Sequence, residues 1–166
     1  MTMAKAKIPV TPAIRLLRQK KVPFVGHCYP YRDHGGTAVC AQELQVTEHA
    51  VIKTLIMEDE QQRPLVILMH GDRQVSTKQL ARTLGVKQVA ACTPETALKH
   101  TGYQVGGTSP LGTRKKLPIY MEQSILELAV IYLNGGKRGF LLEISPQEVH
   151  QLLNAQLVQV AVDIAD

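Results

Sequence analysis

The stretch Gly102-Tyr103-Gln104-Val105-Gly106-Gly107-Thr108-Ser109-Pro110-Leu111-Gly112 constrains this chain more than any other. Four glycines and a proline within eleven residues leave no room for a regular helix or strand. Tyr103, Val105 and Leu111 are apolar anchors, so the stretch reads as a loop packed onto the body of a fold, not a polar linker. Gly106-Gly107 removes side chains where another group must approach the backbone. The amides of Gly106, Gly107, Thr108 and Ser109 are candidates for a concave donor site for an oxyanion, carbonyl or phosphate. Ser109-Pro110 then turns the chain. A tight structural loop crossing under a helix has the same composition, and both readings stand at this level.

Helix and strand signals alternate on either side of that loop. Thr11-Pro12 predicts a helix start, with Ala13, Ile14 and Leu17 on its apolar face. A short strand runs from Pro23 towards Tyr29, followed by a loop over 31–36, a helix capped by Thr37 and a short turn at Thr47. Residues 51–57 and 64–69 read as antiparallel strands around an acidic turn, Glu58-Asp59-Glu60. A turn at His70-Gly71-Asp72 leads to Ser76, which caps a helix that Gly85 stops. A short strand covers 86–91, and Thr93-Pro94-Glu95 opens a helix ending at Gly102. Further strands are expected over 117–121 and 129–133. Asn134-Gly135 reads as a type I′ hairpin pair with 140–144 as the partner strand. Ser145-Pro146-Gln147-Glu148 is a capping box, and 157–164 closes the chain. No repeat or interior linker interrupts the pattern. Residues 1–10 read as a loose tail and 11–166 as one mixed α/β domain.

Charge and cysteine usage narrow the setting. Nineteen Lys/Arg against fourteen Asp/Glu give a formal charge of +5. No acid precedes Asp33, and none falls between Glu95 and Glu122, where Lys99, Arg114, Lys115 and Lys116 lie. Such a distribution suits a polyanion such as RNA, although an ordinary solvated basic face carries the same charge. Cys28, Cys40 and Cys92 are widely spaced and form no C-x-x-C pair, which argues against a disulfide framework or thiolate zinc site and for a reducing, intracellular setting. No apolar run approaches the ~18 residues of a membrane span, and no secretory signal is recognisable.

Lys53 is the second unusual feature, a lysine inside an apolar, β-branched run. In a strand it shares a face with Val51, Leu55 and Met57. Burying an unpaired ammonium is costly, so its head must reach a pocket, an acid or the strand edge. The motifs of serine hydrolases, zinc proteases and paired-acid enzymes are absent. His27, His34, His70 and His100 lack metal-like spacing and read as surface or hydrogen-bonded core, and Cys28 and Cys92 as core residues. Neither a metal nor a cofactor is expected.

Three motifs together resemble the YbaK/EbsC family: the loop over 102–112, Ile52-Lys53-Thr54-Leu55, and Gly135-Gly136-Lys137-Arg138-Gly139. The resemblance spans roughly residues 11–164, with the motifs in the family's order and spacing. The family comprises free-standing Cys-tRNA(Pro) deacylases of the prolyl-tRNA synthetase editing-domain superfamily. Membership implies a single α/β domain with a mixed, partly barrel-like β-sheet surrounded by helices. It also implies a cytoplasmic protein that clears mischarged Cys-tRNA(Pro) in trans, in company with prolyl-tRNA synthetase, without DNA or membrane partners. The resemblance makes Lys53 the catalytic lysine and puts Tyr29 at the pocket mouth. Thr54, Gly106, Gly107, Thr108, Ser109, Pro110, Asn134 and Gly135 fall on the substrate side. Arg114, Lys115, Lys116, Lys137 and Arg138 are the candidate contacts to tRNA phosphates.

In this family the substrate's own cysteine thiol attacks its ester carbonyl and releases a cyclic thioester, which makes proximity the main catalytic device. A small pocket then acts as a second sieve. The family's best-known branch has a serine before Gly-Gly-Lys-Arg-Gly and an aspartate two residues after it; here Asn134 and Leu141 stand at those places. Two other readings stay open. One is hydrolytic deacylation of another small residue, as in Ala-tRNA(Pro), by an activated water. The other is a non-catalytic tRNA or aminoacyl-adenosine binding module.

Overall fold

The computed structural model describes residues 7–164. Its five helices are α1 (Pro12–Gln19), α2 (Gly36–Leu44), α3 (Thr77–Leu84), α4 (Pro94–Thr101) and α5 (Pro146–Leu153). The ten strands are β1 (Val25–Cys28), β2 (Ile52–Asp59), β3 (Pro64–His70), β4 (Arg73–Val75), β5 (Val89–Ala91), β6 (Ile119–Glu122), β7 (Ile131–Lys137), β8 (Phe140–Ile144), β9 (Gln156–Val158) and β10 (Ala161–Asp163).

A five-stranded sheet has the order β5-β2-β3-β6-β9. It is antiparallel across β5, β2 and β3 and parallel across β3, β6 and β9. A three-stranded antiparallel sheet has the order β1-β8-β7, and β4 pairs separately with β10. A bridge between Val51 and Tyr132 joins the start of β2 to β7. The two larger sheets therefore form one partly barrel-like wrap that does not close.

β3 shows why its sequence is an unbroken apolar run. Val66 and Leu68 face the main core with α1 residues Ala13, Ile14 and Leu17. Leu65, Ile67 and Met69 face a second core under α3, with Leu80 and Ala81. A strand covered on both faces has no polar side to alternate with. The helix starts follow their capping chemistry. Thr11, Ser76, Thr93 and Ser145 each accept from a backbone N–H in the first turn of α1, α3, α4 and α5. Gly85 and Gly102 close α3 and α4 in the left-handed conformation.

Cys28, read as a core residue, is exposed, and the elements depart from the sequence reading in four places. Thr37 does not cap α2, which starts after Gly35; its hydroxyl donates instead to the Glu48 carboxylate and the Gly71 carbonyl. Asn134-Gly135 is not the hairpin turn. β7 continues through it with a bulge, Asn134 Oδ1 accepting from the amides of Gly136 and Lys137, and the turn falls at Arg138-Gly139. β4 carries no apolar alternation and forms by pairing with β10. The stretch 157–164 belongs to two strands in different sheets. Of the expected tail over 1–10, residues 1–6 lie outside the described residues, and Ile8 packs against the main core. Among the described residues, no helix is long and apolar enough to cross a membrane.

Candidate functional site: a cleft on the open edge of β2

β5 pairs only with Met57–Asp59 of β2 and the bridge to β7 falls at Val51, so among the described residues no strand pairs with the edge between them. The Ile56 carbonyl accepts from the Cys92 amide at 3.0 Å where β5 ends. By strand alternation Thr54 also turns its backbone N–H and C=O to this edge. A cleft of about 680 Å³ lies along it. Its walls come from β2, the connection from β1 to α2, the first turns of α2, the glycine-rich loop and the β7–β8 hairpin.

Thr54 shares a face of β2 with Ile52 and Ile56, which belong to the main core. It lines the cleft, and its Oγ1 is buried with no hydrogen-bond partner among the described residues. An unsatisfied buried hydroxyl costs about 1–3 kcal/mol, so a bound group that meets it gains what the free protein lacks. Lys53 faces the other way, with Leu55 and Met57, as its spacing predicts; Val51 precedes the strand and packs in a separate cluster. The Lys53 ammonium donates to the Arg73 carbonyl at the start of β4, leaving its other N–H groups for a partner. Burial lowers its pKa, while the charges of Glu48 and Asp72 act to keep it protonated.

The buried lining residues Cys40, Val51 and Leu141 form an uncharged inner end of the cleft, and Tyr29, expected at the mouth, packs against it instead. The Cys40 thiol donates to the Tyr29 hydroxyl at 3.0 Å, and burial raises the pKa of both groups. Val51 and Leu141 pack with Cys40 in one small cluster. Cys92 also lines the cleft, with a thiol pushed up to about 11, chiefly by burial and then by Glu58. At neutral pH neither cysteine is a thiolate nucleophile.

The glycine-rich loop and the hairpin are stitched together at the mouth. Asn134 Nδ2 donates to the Gly106 carbonyl at 3.0 Å, and Arg138 Nε donates to the Val105 carbonyl at 2.9 Å. The Arg138 guanidinium lies 5.1 Å from the centroid of the Tyr31 ring, in cation–π contact. Gly106 has φ +88°, and a Cβ there would come within 2.6 Å of Tyr31 Oη. A Cβ on Gly107 would meet the Arg138 amide at 2.8 Å, so two backbones pass where only glycine fits.

The cleft brings together Tyr29, Lys53, Thr54, Gly106, Thr108, Asn134 and Arg138. Others expected near substrate lie outside it. The Gly107 N–H is taken by the Gln104 carbonyl, so it is not a free donor of an amide nest. Ser109 and Pro110 are buried, with Ser109 Oγ accepting from the Leu111 amide. Gly135 is buried against the Phe140 ring, and its carbonyl accepts from Thr11. Arg114, Lys115 and Lys116 are exposed beyond α4, where the first two donate backbone amides to Thr101 and His100. Lys137 is exposed and does not line the cleft.

Sequence reasoning missed Tyr31, Val39 and Cys40 as cleft residues; His34, read as surface or hydrogen-bonded core, is exposed and lines the cleft. Only Tyr31 carried a signal, as an aromatic in a loop two residues after Tyr29. His49, His70 and Asp72 also converge, offering atoms within 4.8 Å of one another. His70 is already committed, however: Nδ1 donates to the His49 carbonyl and Nε2 accepts from Ser124 Oγ. His49 stacks on the His70 ring at 3.7 Å and bonds Asp72, so the cluster braces the turn that carries the Arg73 carbonyl.

The chain is thus a small α/β domain whose mixed, incompletely closed sheet leaves a cleft at its open edge. Residues 35–152 match the aminoacyl-tRNA editing domain family, and the chain belongs to it. A protein of Enterococcus faecalis, named provisionally as the Cys-tRNA(Pro)/Cys-tRNA(Cys) deacylase EbsC, is 30% identical over 95% of this chain and 98% of its own length. A proline–tRNA ligase of Brachyspira hyodysenteriae is 30% identical over 52% of this chain, which corresponds to 15% of the ligase. A crystal structure described provisionally as a trans-editing enzyme for prolyl-tRNA synthetase superposes with a TM-score of 0.79, at 22% identity over 93% of this chain and 99% of that one.

Proposed function

We propose that this protein deacylates mischarged Cys-tRNA(Pro) in trans. The observation that carries the reading is that the phenol and thiols lining the cleft are held neutral: burial raises the pKa of Tyr29, Cys40 and Cys92, which line it with Thr54 and Leu141 beside the Lys53 ammonium. Attack by the substrate's own thiol needs proximity and no strong base. In that step sulfur bonds to the ester carbonyl carbon, the bond to the ribose oxygen breaks, and the thiol proton ends on the departing ribose hydroxyl. The product is a cyclic thioester. Lys53 orients the ester or the terminal phosphate, and the loop at Gly106 confines the aminoacyl group. Full-length similarity to the E. faecalis protein supports the same substrate, and the match to proline–tRNA ligases supports work beside that enzyme in the cytoplasm.

A second reading is hydrolytic. His34, a non-glycine residue at φ +59°, lines the cleft next to Asp33 and is the candidate base for activating a water. Initial rates on Cys-tRNA(Pro) and Ala-tRNA(Pro) separate the two. The thiol route gives cysteine a preference of about tenfold or more and a trappable cyclic thioester. Equal rates on both substrates support hydrolysis, and no rate above background on either leaves only a binding module.

Thr54→Val tests the β2 edge of the cleft. The change preserves shape and removes the unpartnered hydroxyl, so the protein should be as stable as before or more so. A χ1 turn presents that hydroxyl to a bound substrate, so the rate on Cys-tRNA(Pro) should fall by roughly tenfold, the order of one neutral hydrogen bond. An unchanged rate would make Thr54 a packing residue only.

A further inference from the structure

We infer that a second, basic cleft between α3 and β5 holds backbone phosphates of the RNA strand leading into the deacylation cleft; this rests on the tRNA reading above. The second cleft has a volume of about 490 Å³ and is lined by Lys78, Arg82 and Lys87, with Thr77 and Gln88 as neutral donors. Among the described residues no carboxylate lines it. Lys78 and Arg82 stand four residues apart, on one face of α3, and Lys87 enters after the Gly85 turn.

All three cations are exposed, and among the described residues none forms a salt bridge. The nearby acid Glu60 accepts from the Lys87 amide at 2.8 Å, which engages the backbone and not the ammonium. Three unpaired cations converging on a concavity make a site for a polyanion.

Its position specifies which polyanion. Val89, the first residue of β5, lines the basic cleft, and Ala91, the last, lines the deacylation cleft. They stand two positions apart on the strand, about 7 Å. Ala90 and Ala91 are exposed and small, so nothing on β5 blocks a chain passing from one cleft to the other. An acylated 3′-terminal nucleotide in the deacylation cleft therefore places the preceding phosphates within reach of Lys78, Arg82 and Lys87. Such contacts carry no base sequence and weaken with salt. They are distinct from the exposed cations Arg114, Lys115 and Lys116, which lie beyond α4.

The test uses the full chain and the triple variant Lys78→Ala/Arg82→Ala/Lys87→Ala, with thermal melting as a check on folding. The probe is a fluorescent single-stranded RNA oligonucleotide ending in CCA, titrated at two salt concentrations. The variant should bind about tenfold more weakly at low salt, and its log K against log salt should flatten by about two, the release expected for three phosphates at ~0.7 each. Turnover of aminoacyl-adenosine, which lacks those phosphates, should be unchanged. Unchanged RNA affinity and slope would overturn the proposal. So would an equal loss on aminoacyl-adenosine, or a loss found only with Arg114→Ala/Lys115→Ala/Lys116→Ala. Inorganic phosphate displacing the oligonucleotide as well as RNA does would mark a lone-anion site and also overturn it. The binding arm is read even if no aminoacyl-tRNA is deacylated, so failure of the functional reading shows separately.

Discussion

Lys53→Met should lower kcat/KM for aminoacyl-tRNA by about 100-fold or more while the protein stays folded. Losing one preorganised donor at a reacting carbonyl costs that much in other sites, and this ammonium is placed by the fold and not by chance. β2 delivers Lys53 to the cleft edge, the Arg73 carbonyl fixes one of its donors, and Glu48 and Asp72 oppose the loss of its proton on burial. Methionine keeps an apolar stem against the second core. The lost charged hydrogen bond is offset by release of a half-buried ammonium, so stability should change by no more than about 1 kcal/mol. Single-turnover rates and a thermal melt measure the two effects separately. A loss in kcat points to the ester as the group Lys53 meets, and a loss in KM to the phosphate. A folded variant turning over at the normal rate would remove Lys53 from the mechanism.

Gly106→Val should lose deacylation to a similar extent, with a visible loss of stability. The sequence points to glycine there so that substrate can approach. The structure adds a stronger reason: φ is +88°, and a Cβ would strike Tyr31 Oη at 2.6 Å and Arg138 Nε at 3.3 Å. A β-branched side chain in that conformation costs about 1–3 kcal/mol in backbone strain. Relief comes by moving Tyr31 and Arg138, which breaks the bond from Arg138 to Val105 and the cation–π contact. The mouth of the cleft then loses its shape. Aminoacyl-adenosine binding and turnover should fall together; normal turnover would show that the loop has no part in the site.

The local architecture was largely legible. Thr11, Ser76, Thr93 and Ser145 place the starts of four helices because capping is decided within four residues of chain. The β2–β3 pair was legible because an acidic turn separates two apolar runs. Short polar strands were not: β4 exists because β10 returns to pair with it. The bulge at Asn134 was hidden for a related reason. Asn-Gly favours a turn locally, but here the side chain satisfies two strand amides and holds the Gly106 carbonyl.

For the site, the sequence determined the residues that had to be special: a glycine pair that another backbone touches, and a lysine amid apolar neighbours. Local stereochemistry and desolvation cost mark such residues without any knowledge of the fold. Tertiary structure alone decided that β5 stops short and leaves Thr54 on an open edge. It also brought Cys40 onto Tyr29 and Arg138 onto Tyr31, and buried Ser109 and Pro110 away from the cleft. Those outcomes depend on which strands pair and on contacts between residues far apart in the chain, as with the Val51–Tyr132 bridge. Long-range pairing is set by the packing of the whole core, and no window of sequence contains it.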